Sequence, residues 1–318
     1  MNASLAQKIA DAEAQVADLE RKVKTVSIKK IKEAIKGKEV PNFFEYAYKR
    51  MEIIKSTVSY STYKAYYAAI VKFEKWVGTR DVYFDDFTVT LLNDYKNYLS
   101  KELKNGLTTQ RLSIIVLGTI FNQAIKEEII PETMFPFKKL TLKTDNTKRL
   151  FLNKDKILDL TQLKLIEGKK ANLWRDLFLF SIYAGGLRFS DVIEMQYKHY
   201  NKNEQRISKL IRKTGRPHQF KIGKVAIDIL EKYCKEGADN EDYIFPVIED
   251  KKGYERSESL RYFYTAKYNK LANWHLKKLG EKMELPFKLS FHLSRHTFAT
   301  NALNNGMRIE HVSKLMDH

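Results

Sequence analysis

His292-Leu293-Ser294-Arg295, within Ser290–Thr300 (SFHLSRHTFAT), is the stretch on which the reading of this chain turns. If a helix opens here, the i, i+3 spacing sets His292 and Arg295 on one face. Asn305-Gly306 reads as the stop of that helix, because glycine readily takes the left-handed conformation at a helix end. A short helix from Arg308 follows, carrying Ile309, Val312 and Leu315, and the last two can pack it against its neighbour. The sequence then reaches His318.

His292 and His296 also have the four-residue spacing of a zinc-protease helix. Leu293, however, stands where the general-base glutamate of H-E-x-x-H would be, and no third ligand is evident, so no metal is expected.

A second arginine has a comparable setting in Ala184-Gly185-Gly186-Leu187-Arg188-Phe189-Ser190-Asp191. A largely apolar helix, Leu173 to Tyr183, stops at the two glycines, and a new helix starts near Ser190. That sets Arg188 at a helix junction beside N–H groups that favour anions. The plainer alternative is a surface arginine paired with Asp191.

Residues 205–222 read as a β-hairpin, with QRISKLIR and HQFKI flanking the turn Lys213-Thr214-Gly215-Arg216-Pro217. Cutting a phosphodiester without metal needs a nucleophile, cations on the non-bridging oxygens and an acid for the departing 5′-oxygen. Arginine suits the cationic role through its planar, permanently charged fork. Lysine or histidine suits the acid.

Charge points to the same class of partner. The chain has 57 Lys and Arg against 39 Asp and Glu, a net charge of +18. Most of the excess lies in the second half. Lys198, Lys202, Arg206, Lys209, Arg212, Lys213, Arg216, Lys221 and Lys224 face a single acid, Glu204, within residues 198–224. Such clustering implies a polyanion, since neutralised phosphates release condensed counterions.

At 318 residues the chain has room for two or three domains of ~100–200 residues each. A hydrophobic share of 43% is enough to build cores and excludes global disorder. No apolar run approaches the ~18 residues a membrane helix needs, and the start has no signal-peptide pattern. The single cysteine, Cys234, excludes an internal disulfide and a cysteine-rich zinc motif, and fits a reducing, cytoplasmic compartment.

Residues 1–40 read as one amphipathic helix with a heptad seam of Leu5, Ile9, Ala12, Val16, Leu19, Val23 and Val26. Packing against the protein's own body is the expected use of that seam, ahead of dimerisation. Residues 41–140 predict an all-helical domain, with helices at about 42–55, 60–78, 89–104 and 109–128. Tyr63, Tyr66, Ile70, Phe73 and Val77 share one face of the second, and Ile114, Leu117, Phe121 and Ala124 one face of the fourth. Ser61, Thr88 and Thr109 are candidate caps. Residues 141–149 (TLKTDNTKR) read as a polar, basic linker able to follow a phosphate backbone. Helices resume over 150–318, interrupted by the hairpin and continuing at about 223–235, 257–279 and 293–304. The expected fold is therefore mainly α, with a small β-hairpin or sheet.

GGLRFSD (185–191) resembles the first-arginine box of the tyrosine recombinase, or phage integrase, family. HLSRHTFATNALNNGMRIEHVSKLMDH (292–318) resembles that family's H-x-x-R box and the segment running to its Leu-x-Gly-His-like motif. Lys213 matches the family's hairpin lysine, and residues 41–140 resemble its SAM-like core-binding domain. The order Arg, Lys, His-x-x-Arg, His is that of the family.

The resemblance implies a site-specific recombinase acting through a 3′-phosphotyrosine intermediate, without metal or ATP. Arg188 and Arg295 would clamp the scissile phosphate, Lys213 would protonate the leaving 5′-oxygen, His292 would assist proton transfer and His318 would hydrogen-bond the phosphate. Asp191 and His296 would support them. Lys209, Arg212, Arg216, Lys148 and Arg149 would contact the DNA backbone. Two departures stand out. Asp317 replaces the glycine usual before the last histidine, and the family's nucleophilic tyrosine follows that histidine at positions beyond 318. The 318 residues alone are therefore expected to bind DNA without forming the covalent link, as a truncated or partial chain would. Relatives of the Bacteroides mobile-element type also carry an arm-binding domain before a helix like residues 4–36.

The implied partners are duplex DNA, further copies of the chain in a tetramer on two synapsed sites, and accessory DNA-bending or directionality factors. No membrane partner is expected, and the protein would be nucleoid-associated. The helical and catalytic domains would clamp the duplex from opposite faces. The rival is a non-catalytic DNA-binding protein that keeps the fold for architecture or regulation. An RNA-binding protein has no supporting module in the sequence.

Overall fold

The computed structural model describes residues 40–145, 149–165 and 170–317. The expected N-terminal helix, Lys148 and His318 lie outside them. The chain divides into two compact units, Met1–Thr147 and Lys148–His318.

Among the described residues the first unit has four α-helices: α1 (Phe43–Ile54), α2 (Tyr60–Val77), α3 (Val89–Lys101) and α4 (Leu107–Lys126). Their interior is aromatic. Phe43 meets Phe87 at 4.5 Å between ring centroids, Phe84 meets Phe121 edge-on at 4.8 Å, and Phe73 meets Tyr95 edge-on at 5.0 Å. Such offset and edge-to-face pairs add to the stabilisation from burial alone. The predicted faces are the packed ones. Ile70 and Phe73 of α2 and Ile114, Leu117, Phe121 and Ala124 of α4 are buried, with Tyr63, Tyr66 and Val77 packed at the margin.

Two expected caps differ. Ser59, not Ser61, accepts from the Thr62 amide at the start of α2. Gly106, not Thr109, is the N-cap of α4, and the Asp145 carboxylate accepts from the Thr108 amide at 3.1 Å. A distant carboxylate thus does the work of a local cap, satisfying a first-turn N–H and meeting the positive end of the helix dipole. The first residues of the expected linker, 141–145, are held against this unit. Lys96 Nζ donates to the Thr141 carbonyl at 3.2 Å, and Leu140 and Leu142 pack on the aromatic core. The segment through Asp145 therefore belongs to the helical unit.

The second unit is built around α6 (Lys170–Tyr183), which follows α5 (Lys154–Gln162). Trp174, Leu177, Phe178, Leu179, Phe180 and Ile182 are buried around much of its circumference, as a helix enclosed by others requires. It packs against α8 (Lys224–Glu231), α10 (Glu258–Lys282) and α11 (Leu293–Asn304). Short helices α7 (Phe189–Ile193), α9 (Lys251–Glu255) and α12 (Ile309–Leu315) complete the unit.

The hairpin is present, and a third strand joins it. The strands β1 (Tyr200–Asn201), β2 (Arg206–Ile211) and β3 (Arg216–Lys221) form an antiparallel sheet in the order β1-β2-β3. Ile207 pairs with Phe220, Lys209 with His218 and Ile211 with Arg216. Because side chains alternate between the two faces of a strand, Lys209 shares the inward face with Ile207 and Ile211, and His218 shares it with Phe220.

Candidate active site around the end of helix α12

Gly185 and Gly186 follow α6 with φ of +72° and +70°, a left-handed pair that side chains rarely adopt. The reversal is tight. A Cβ on Gly185 would lie 3.2 Å from the Leu315 carbonyl oxygen, and one on Gly186 would lie 3.1 Å from Phe298 Cδ1 and 3.5 Å from Arg295 Cα. Arg188 follows as the residue capping α7 in extended conformation. Ser181 braces the junction from α6, donating to the Leu187 carbonyl at 2.8 Å and sharing a 2.6 Å contact with the buried Ser294 hydroxyl of α11.

Arg295, in the first turn of α11, is only 6% exposed. Its guanidinium donates to the Gly186 carbonyl and, at 2.9 Å, to the Met316 carbonyl. Burial first, and then the Arg188 charge, push its pKa down to about 10. Two cations therefore share one neighbourhood. Arg188 does not pair with Asp191. Its Nη2 donates to the Asp317 carbonyl at 3.1 Å and its Nη1 lies 3.3 Å from Asp317 Oδ2.

These contacts have a common cause. The last carbonyls of a helix lack intrahelical partners and carry partial negative charge, which favours cationic donors. At the end of α12 the Leu315 carbonyl meets His218 Nε2 at 3.0 Å, Met316 meets Arg295, and Asp317 meets Arg188. Three elements distant in sequence, β3, α11 and the turn before α7, converge on consecutive peptide groups.

Lys213 and Thr214 lie exposed in the hairpin turn. The Thr214 hydroxyl donates to Asp317 Oδ2 at 2.5 Å, which ties the turn to the same place. His292 is the N-cap residue of α11, and its pKa is lowered by the partial burial of its ring, by His296, by Arg295 and by Lys213. The rings of His292 and His296 meet edge to face at 4.7 Å. Burial, Arg149 and Arg295 lower the pKa of His296, so Arg149 belongs to the same electrostatic neighbourhood.

Asp191, at 1% exposure, has no hydrogen-bond partner for either carboxyl oxygen among the described residues. Burial raises its pKa to about 6, against the opposing pull of Lys209, Arg188 and Arg295.

The basic residues separate into two groups. Arg216 and Arg149 are exposed. Lys209 is not: it is 8% exposed, and its ammonium donates to the Glu194 carbonyl at 3.0 Å. Arg212 is held by Glu194 at 3.1 Å and by Glu258. These two cations anchor the sheet rather than extend the exposed basic surface. Sequence reasoning missed Thr214 and His218, and it registered Asp317 only as a departure from a pattern. Alternation along β3 with Phe220 was the available signal for His218.

Residues 42–141 match the phage integrase SAM-like domain and residues 150–318 match the phage integrase family. Tyrosine recombinase XerA of Pyrococcus horikoshii is 26% identical over 239 residues, covering 74% of this chain and 75% of that protein. XerC of Bacillus licheniformis is 23% identical, with 88% of each chain covered. Among solved structures, the Tn1549 transposon integrase in complex with circular intermediate DNA superposes with a TM-score of 0.66 at 17% identity, covering 87% of this chain and 92% of that one. A lambda integrase tetramer bound to a Holliday junction gives 0.61 at 16% identity, with 91% and 80% covered.

Proposed function

As the chain belongs to the phage integrase family of tyrosine recombinases, we propose that it cleaves and rejoins duplex DNA at specific sites, with Arg188 and Arg295 holding the non-bridging oxygens of one scissile phosphate. The observation that supports this most is the convergence of both guanidinium groups on the main-chain oxygens of two consecutive residues, Met316 and Asp317. Fixed cations aimed at developing negative charge act on the transition state more than on the ground state, a contribution of ~3–4 kcal/mol per donor.

In this reading a tyrosine hydroxyl from sequence following His318 attacks phosphorus and the P–O5′ bond breaks. Lys213 gives its proton to the departing 5′-oxygen, and the product is a 3′-phosphotyrosine ester with a free 5′-hydroxyl. Attack by a 5′-hydroxyl on that ester reverses the step, so no external energy source is required. His292 assists by taking up the proton that the tyrosine hydroxyl gives up, His318 hydrogen-bonds the phosphate, and Asp191 and His296 support the arginines. Arg216, Arg149 and Lys148 contact the backbone, and exchange takes place in a tetramer of this chain on two sites.

A nicked suicide substrate, which loses its 5′-hydroxyl fragment after cleavage, tests the proposal. A chain extended past His318 becomes covalently attached to the DNA, while residues 1–318 bind without attachment. An extended chain that folds and binds duplex but forms no adduct overturns the catalytic reading and leaves the architectural one.

A further inference from the structure

Asp317 is the residue whose placement the proposed reaction does not use. It lies at φ +54°, in the left-handed region where glycine is at ease and few other residues besides Asn and Asp are found. Its side chain is nevertheless ordered by two partners, Arg188 Nη1 at 3.3 Å and the Thr214 hydroxyl at 2.5 Å. Burial works against its ionisation, but the Thr214 and Arg188 contacts outweigh it and lower its pKa, with His218 adding to the effect, so the group is a carboxylate at neutral pH.

The geometry sets up a competition. Both terminal nitrogens of Arg188 are engaged by Asp317, one through the carboxylate and one through the main-chain oxygen. The fork of a guanidinium suits one oxyanion at a time in a paired arrangement. A phosphate oxygen reaching Nη1 would meet the Asp317 carboxylate as a like charge at contact distance. The carboxylate must therefore leave Nη1 before a phosphate can use it, and Thr214 loses its acceptor in the same movement. Thr214 is the neighbour of Lys213, so displacement at the arginine frees the turn that carries the lysine.

We propose that Asp317 is a positioning residue that occupies the Arg188 fork as an internal stand-in for phosphate and latches the Lys213 turn through Thr214 until a phosphate displaces it. This rests on the reading of Arg188 as a phosphate ligand. The coupling is an exchange between two states, with phosphate binding the unlatched one better.

The test uses the 318-residue chain and inorganic phosphate as the probe, followed through the arginine Nε–H signals of wild type, Asp317→Asn, Asp317→Gly, Arg188→Ala and Asp317→Asn/Arg188→Ala. Both Asp317 variants suit the left-handed position, so loss of fold is not expected to mask the result. Phosphate should bind about five- to twentyfold more tightly to Asp317→Asn and Asp317→Gly than to wild type, and the gain should vanish in the double variant. Amide exchange of Lys213–Gly215 should quicken when phosphate is added to wild type, and should already be fast without phosphate in Thr214→Val.

Unchanged or weaker phosphate binding in both Asp317 variants, with Arg188→Ala still abolishing it, overturns the latch and leaves the clamp intact. Phosphate binding that is indifferent to Arg188→Ala in either background overturns the clamp itself. Exchange at the turn that ignores phosphate in wild type overturns the link to Lys213.

Discussion

Arg188 and Arg295 donate to the main-chain oxygens of consecutive residues, Asp317 at 3.1 Å and Met316 at 2.9 Å. Two like charges are thereby held together by the negative end of a short helix. The sharp reversal at Gly185-Gly186 and the buried Ser181–Ser294 contact fix the approach from one side. The arrangement costs stability through burial of cations.

That cost can be read at Gly186. Alanine there meets a left-handed backbone, worth about 1–2 kcal/mol, and a Cβ only 3.1 Å from Phe298 Cδ1. Gly306 has a similar φ of +83° with nothing within 4 Å. Urea unfolding should therefore show Gly186→Ala to be more destabilised than Gly306→Ala by about 1 kcal/mol or more, the overpacking contribution. Only the Gly186 variant should impair duplex cleavage by the extended chain. Equal losses in both would mean that the close approach to Arg295 has no consequence.

Asp191 predicts a pH-dependent gain. Its folded pKa of about 6 lies above the ordinary aspartate value, so the folded state holds the proton more tightly than the unfolded chain does. Ionising it then subtracts from stability above pH 6 and subtracts nothing below about pH 4. Asp191→Asn should be more stable than wild type by on the order of 2–3 kcal/mol at pH 8, with the gain lost by pH 4. Lower stability of the variant at pH 8 would show that Lys209, Arg188 and Arg295 hold the carboxylate more strongly than burial opposes it.

Lys209 and Arg216 should behave differently with salt. Each phosphate contact contributes about 0.9 to the slope of log affinity against log salt. Arg216→Ala should reduce that slope for duplex binding by about one contact. Lys209→Met should leave the slope unchanged and lower the unfolding midpoint, because its ammonium is bound to the Glu194 carbonyl inside the protein. A reduced slope for Lys209→Met would return that lysine to the DNA-contacting set.

The contrast also marks what the sequence could and could not tell. Helical faces were readable because burial repeats with the helix period, as Ile114, Leu117, Phe121 and Ala124 do. The hairpin was readable from its turn. The burial of Lys209 was not foreseen because charge density was weighed and strand alternation was not, although Ile207 and Ile211 flank it at the same parity. The cap of α4 was illegible locally, since Asp145 supplies it from 37 positions away. Arg188, Lys213, His292 and Arg295 were legible as residue types in a known order. Their meeting point was not, because Asp317, Thr214 and His218 reach it through tertiary contacts that no spacing encodes.

The central claim is that Arg188 and Arg295 serve a single phosphorus atom. Single-turnover adduct formation on the nicked suicide duplex, by the extended chain bearing Arg188→Ala, Arg295→Ala or both, measures this most directly. Each single variant should lose about a hundred- to a thousandfold in rate, and the double variant little more than the worse of the two, as for groups acting as one unit. Losses that multiply in the double variant, or a single variant that cleaves at the wild-type rate, would contradict the shared site.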